Sequence, residues 1–191
     1  MTVALKAARA NEDRIADWLH WALLAGAFIL LVVISRHRWF TSDEWGPLVD
    51  RTLFGGGGTQ GLFVPHNEHW IFFPALADRL LFSVFAVRTH LPYSVLGILS
   101  HLVVVQLLWM LLRRAGVSCW VALAAIAGFV FLGAGYENII NAFQIGFVWS
   151  VAAGLGASSS RRRRGLGRGD AIWAPARCSS SASPPRASGS R

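Results

Sequence analysis

Two adjacent carboxylates, Asp43 and Glu44, stand in the run Trp39-Phe40-Thr41-Ser42-Asp43-Glu44-Trp45. Acids that repel one another between tryptophans, close to an apolar boundary, suit a general base or a metal ligand. The structural alternative is that Ser42 or Asp43 caps a short helix with Glu44 in its first turn. A second concentration is Pro65-His66-Asn67-Glu68-His69-Trp70. His66, Glu68 and His69 offer nitrogen and oxygen ligands, but not at the spacing of the two-histidine zinc helix. If Asn67 caps a helix, only Glu68 and His69 project from its first turn, as polar anchors or as ligands to a divalent metal ion. A third is Gly135-Tyr136-Glu137-Asn138, with Asn138, Asn141 and Gln144 recurring at helical spacing. Together with Arg51 or Arg79, these groups would form one polar surface if the elements carrying them ended on the same side. The candidate metal ligands are Glu44, Glu68 and His69, and the cofactor this donor set could hold is a divalent metal ion.

Those elements read as membrane helices. Of 191 residues, 54% are hydrophobic and only 15% charged, where soluble domains carry about a quarter. Uncharged stretches of roughly 18 residues or more span about 30 Å of hydrocarbon as helix. Four stretches qualify: 18–35, 91–112, 115–136 and 138–157. The expected fold is all-α: a polytopic membrane protein with four transmembrane helices and interfacial helices in a large first outer loop, 36–90. Residues 1–17 form the amino-terminal arm, 18–157 the four-span module and 158–191 a tail. Only Arg113-Arg114 separates the second and third spans and only Glu137 the third and fourth, so both connections should be tight helical hairpins. Residues 70–87 are apolar too, but Asp78 and Arg79 sit at their centre and favour an interfacial helix over a fifth crossing.

Charge sets the orientation. Lys6/Arg9/Arg14, Arg113/Arg114 and Arg161 to Arg164 all fall on the cytoplasmic side only if four segments cross, with both termini in the cytoplasm of a bacterial cell. The tail holds eight Arg and one Asp, whereas residues 1–157 carry ten Lys/Arg against nine Asp/Glu. The strong basicity is therefore a property of the tail, which suits anionic lipid and gives no nucleic-acid-binding face. Rich in Arg, Ser, Ala, Gly and Pro, the tail cannot bury a core and reads as disordered, or as an out-of-frame end of a GC-rich coding sequence. The two cysteines, Cys119 and Cys178, support neither a disulfide framework nor a thiolate zinc site. The four-glycine run 55–58 lacks the Gly-Lys-Ser/Thr of a phosphate loop. Within the spans His20, His101 and Gln106 are polar, and hydrogen bonds to neighbouring helices are their ordinary use. No acid accompanies them inside the spans, which argues against a proton pump.

A first span, an acidic pair in a large outer loop and interfacial helices before the second span resemble the amino-terminal module of the GT-C class of integral-membrane glycosyltransferases. The runs His66-Asn67-Glu68-His69-Trp70 with Pro74, and Gly135-Tyr136-Glu137-Asn138 with Phe143-Gln144-Ile145-Gly146-Phe147, look like actinobacterial membrane proteins associated with that class. The resemblance covers about residues 15–157. It implies a polyprenyl-phosphate-linked sugar donor, with Asp43 as the base that activates the acceptor and Glu44 as a supporting acid or metal ligand. Arg51 would face the lipid phosphate, with His66, Glu68, His69, Glu137 and Gln144 around the substrates. Members of the class have many more spans, and if the tail is an out-of-frame end the expectation is a truncated, inactive piece of a transferase. The competing expectation is a non-enzymatic four-helix membrane protein whose outer loop binds a partner or lipid.

Overall fold

The computed structural model describes residues 2–48, 60–63, 65, 69–131, 135–136, 139, 141 and 144–165. Among them every regular element is helical: α1 (Thr2–Ser35), α2 (Ser42–Leu48), a 3-10 turn (Gln60–Leu62), α3 (Phe72–Phe85), α4 (Leu91–Arg114), α5 (Cys119–Val130) and α6 (Ile145–Gly165).

Two segments, Ala7–Ser35 of α1 and Leu91–Arg114 of α4, are long and apolar enough to cross a membrane. On α1 the buried stripe is Ala16, His20, Leu24, Ala27, Leu31 and Ser35, which recurs at helical spacing. The opposite face is also apolar and exposed, with Trp18, Trp21, Ile29, Leu30, Val33 and Ile34. The helix starts sixteen residues before the expected span, because nothing in 2–17 breaks it: there is no Pro or Gly, and Ala, Lys, Arg and Glu all favour helix.

Side-chain contacts fix the directions. Arg113 at the end of α4 donates to Asp13 near the start of α1 at 2.7 Å, and Leu31 packs with Ile98, so α1 and α4 run antiparallel. His101 Nε2 donates to the carbonyl of Val130, the last residue of α5, at 3.3 Å, while the Arg113 end of α4 leads straight into α5. Trp149 Nε1 donates to Ser100 Oγ at 2.8 Å and Arg114 to the carbonyl of Ser159 at 3.2 Å, so α6 runs parallel to α4. The helices α1, α4, α5 and α6 therefore alternate up and down. One end gathers Asp13, Arg113 and Arg114; the other gathers α2, α3 and the start of α4.

The last two long helices differ from the expected spans. α5 is twelve residues, Cys119–Val130, in place of 115–136. Its start is set by two adjoining stops. Gly116 adopts a left-handed φ of 82°, and the amides of Gly116 and Val117 return to the carbonyls of Arg113 and Leu112 at 3.2 and 3.1 Å, closing α4 in a Schellman turn. Ser118 then caps α5, its side chain accepting from the amide of Val121. α6 begins at Ile145, seven residues after the expected start, and the expected turn at Glu137 lies outside the described residues. The intervening chain lies against α4: a Cβ on Gly97 would stand 3.1 Å from the carbonyl oxygen of Ile139, an approach that a bare Cα permits. At its other end α6 continues to Gly165, into the segment expected to be disordered. Ser158 and Ser160 return hydrogen bonds to the carbonyls of Gly154 and Gly156, which keeps those hydroxyls satisfied inside the helix. Residues 166–191 lie outside the described residues.

α3 carries the 70–87 segment as a helix of fourteen residues. Pro74, Ala75 and Asp78 face the bundle, while Phe73, Leu80 and Val84 form an exposed apolar stripe. The charged centre that made a crossing unfavourable is thus turned inward at Asp78. Ala86 ends the helix with φ 49°, and Tyr93 donates to its carbonyl at 3.1 Å.

Candidate functional site

The carboxylate helix α2 is built by its own first residues. Thr41 precedes it and Glu44 is its third residue, a Thr-x-x-Glu pattern. The amides of Glu44 and Trp45 donate to the carbonyl of Thr41 at 3.1 and 3.2 Å. In return Glu44 Oε2 accepts from the backbone amide of Thr41 at 2.8 Å and from its hydroxyl at 3.2 Å, the reciprocal half of a capping box. The cap is therefore Thr41, one residue before the expected Ser42 or Asp43. Asp43 is the second residue of α2.

The other oxygen of Glu44 points to α4. His90, the residue that precedes α4, donates from Nε2 to Glu44 Oε1 at 2.9 Å, with the two side chains 1% and 4% exposed. The second ring nitrogen, Nδ1, is 2.8 Å from Ser94 Oγ, one turn into α4, and in the neutral ring it accepts from that hydroxyl. Phe40 packs its ring against the edges of His90 and Tyr93, at 4.8 and 5.1 Å, and Leu48 and Trp45 complete the apolar collar. Asn141 Nδ2 reaches Thr41 Oγ1 at 3.4 Å, bringing in the chain that precedes α6. The chain Thr41–Glu44–His90–Ser94 is thus a buried polar line through an aromatic wall. Serine, histidine and glutamate in series suggest a hydrolase triad, but Ser94 is fully buried and its hydroxyl meets no substrate.

Beside this end of the bundle α3 and α6 enclose a groove of about 820 Å³. Phe63, Trp70, Phe72, Phe147 and Trp149 form its walls, and His69 is its polar rim. The exposed His69 ring lies 6.2 Å from Phe147. Gln144 sits immediately before α6, half-buried, with its amide donating to the carbonyl of Asn141 at 3.2 Å.

The structure brings Glu44, Asn141 and the backbone of Asp43 together, and sets His69 and Gln144 at the same end of the bundle. Arg51, His66, Glu68 and Glu137 lie outside the described residues. Among the described residues no three of His, Cys, Asp and Glu gather as a metal ion requires. Of the candidate ligands, Glu44 accepts hydrogen bonds on both oxygens, from Thr41 and from His90, and is 4% exposed. His90 escaped the sequence reading because its partner is 46 residues away; the local signal was the Thr-x-x-Glu box, which announces that Glu44 turns back on the chain.

A second polar cluster ties the other end. His20 Nε2 donates to Gln106 Oε1 at 2.6 Å, and its ring stacks on Trp109 at 4.5 Å and 8°. Arg113, which holds Asp13, lies over the same indole at 5.4 Å. Acids at Asp13 and Asp17 do belong to α1, because the helix extends beyond the expected span. Comparison with family models, with curated proteins and with solved structures gave no match.

Proposed function

We propose that this chain is a four-span module of the bacterial cell membrane that handles a polyprenyl-phosphate-linked sugar at the outer face, in the manner of the GT-C glycosyltransferases it resembles. The observation that carries this reading is the position of the acidic helix α2, fastened to the amino end of α4 at the same end of the bundle as an aromatic groove. Membrane residence is supported by the long helices: only 28% of the apolar window in α1 and 39% in α4 is buried, too little for core helices of a water-soluble protein. The alternating helix directions and the Arg113/Arg114 end beside Asp13 support four crossings with both termini inside. At 12 residues, about 18 Å of helix, α5 requires its flanking residues or a locally thin bilayer to complete a crossing.

In this reading the acceptor hydroxyl is too weak a nucleophile alone. Asp43 accepts its proton as the new bond to the anomeric carbon forms and the bond from that carbon to the donor phosphate breaks, the lipid phosphate leaving as an anion. Glu44, committed to Thr41 and His90, supports the base and takes no proton. Arg51 faces the phosphate, and the groove receives the hydrocarbon chain.

The test is transfer from a panel of polyprenyl-phosphate hexoses by the chain reconstituted in lipid nanodiscs. Asp43→Asn keeps the shape and removes the base, so the rate should fall by about 10²- to 10⁴-fold. An unchanged rate removes Asp43 from the mechanism, and the absence of transfer from every donor in the panel overturns the transferase reading. Donor lipid that binds without transfer would instead match the alternative, a lipid-binding four-helix protein, which the full engagement of Glu44 favours.

A further inference from the structure

We infer that His90 is the positioning residue of α2: through Glu44 it fixes the acidic helix, and with it Asp43, to the amino end of α4. α2 has seven residues, too few to be stable alone, since isolated helices shorter than about 12 residues are marginal in water. Its direction therefore comes from contacts outside it. Among the described residues those contacts are of two kinds. The apolar ones, Phe40, Trp45 and Leu48 against Tyr93, are large and smooth and fix distance better than rotation. The polar ones are the bond from Asn141 Nδ2 to Thr41 Oγ1 at the cap, long at 3.4 Å, and the shorter, fully buried bond between side chains 1% and 4% exposed, from His90 Nε2 to Glu44 Oε1 at 2.9 Å.

The bond is held from both sides. Glu44 cannot swivel, because its other oxygen accepts from the amide and hydroxyl of Thr41. His90 cannot flip, because Nδ1 is engaged by Ser94 and the ring edge is packed by Phe40. Each member is locked by a neighbour on its own element, and the bond between them sets the rotation of α2 about its axis. A base in the second position of the helix takes its direction from that rotation. The role of Asp43 as the base rests on the transferase reading; the tether itself does not.

The experiment is hydrogen exchange on the full chain in nanodiscs, followed at the amides of 42–48 and, as an internal reference, at those of 98–112. His90→Ala should speed exchange in 42–48 by about tenfold or more, the loss expected for a buried hydrogen bond to a carboxylate, with 98–112 unchanged. His90→Gln, which keeps a donor at the position of Nε2, should restore most of the protection. Glu44→Ala, which removes the acceptor of His90 together with the capping contact to Thr41, should loosen α2 as well, and the pair His90→Ala with Glu44→Ala should be no worse than Glu44→Ala alone, because the bond to His90 is already gone there. In the transfer assay His90→Ala should lower kcat with KM retained, and His90→Gln should recover it, as a displaced base requires. Unchanged exchange in His90→Ala, additive losses in the pair, or failure of His90→Gln to restore protection would each overturn the proposal. If the parent chain transfers no sugar, the exchange results still decide the tether, and the transferase reading alone falls.

Discussion

A buried imidazole has two nitrogens to satisfy, and the histidines at the two ends of this bundle do so differently. His90 engages both, with Glu44 and Ser94. His20 engages one: Nε2 binds Gln106, while Nδ1 is buried with no hydrogen-bond partner. An orphaned buried acceptor costs about 1–3 kcal/mol, whereas removing both members of a buried polar pair is close to neutral. Gln106→Leu strands His20 Nε2 beside the already orphaned Nδ1, so it should destabilise the protein by about 1–3 kcal/mol. Adding His20→Phe, which keeps a flat ring on Trp109 and removes both stranded nitrogens, should return most of that loss, as read from thermal unfolding in detergent; two equal and additive losses would refute the account. At this scale the sequence was legible wherever partners are near in the chain. The helical site of Asp43 and Glu44 was readable from Thr41 to Trp45. The bonds of His90 to Glu44 and of Asn141 to Thr41, 46 and 100 residues apart, were not, because composition carries no register between distant elements.

Helix ends decide more of this fold than helix interiors. The apolar runs of α1 and α4 announced themselves, since long uncharged stretches have few other uses. The limits of α5 and α6 did not, because hydropathy is blind to backbone stops inside an apolar run. Gly116 and Ala86 are the two left-handed residues among the described ones, and they predict opposite effects. Gly116→Ala places a Cβ on the Schellman turn and should cost about 1 kcal/mol. Ala86→Gly relieves a similar strain at the end of α3, less the entropy a glycine gives up, and should stabilise by up to about 1 kcal/mol. Paired melting curves would check both; a loss at Ala86→Gly would mean that the bond from Tyr93 to the carbonyl of Ala86 depends on the methyl group.

For the whole molecule the decisive quantity is orientation. Arg113 and Arg114 stand at the end of the bundle that holds Asp13, and α2 and α3 at the other, so reporters should separate them. An enzymatic fusion joined after Arg114 should report cytoplasm, and a glycosylation or cysteine-labelling site near Gly57 should report the outer side. A cytoplasmic signal near Gly57 would sink the four-span topology. The inward-facing Asp78 should resist labelling after substitution by Cys, while Leu80 and Val84 on the exposed stripe of α3 should react with a lipid-soluble reagent.

α1 gives this architecture a mechanical property. It is one uninterrupted helix of 34 residues, about 51 Å long, pinned at its twelfth residue by Asp13, just past its middle by His20 and near its finish by Leu31, after which Phe40 closes on His90. Such a rod has a phase. One residue added between the pins, at the open face of Gly26, must turn one end by about 100° and advance it by about 1.5 Å relative to the other. The arginine clamp and the acidic helix cannot both keep their seats after that change. The two ends of the bundle are therefore geared to each other through a single shaft, and twisting one is felt at the other.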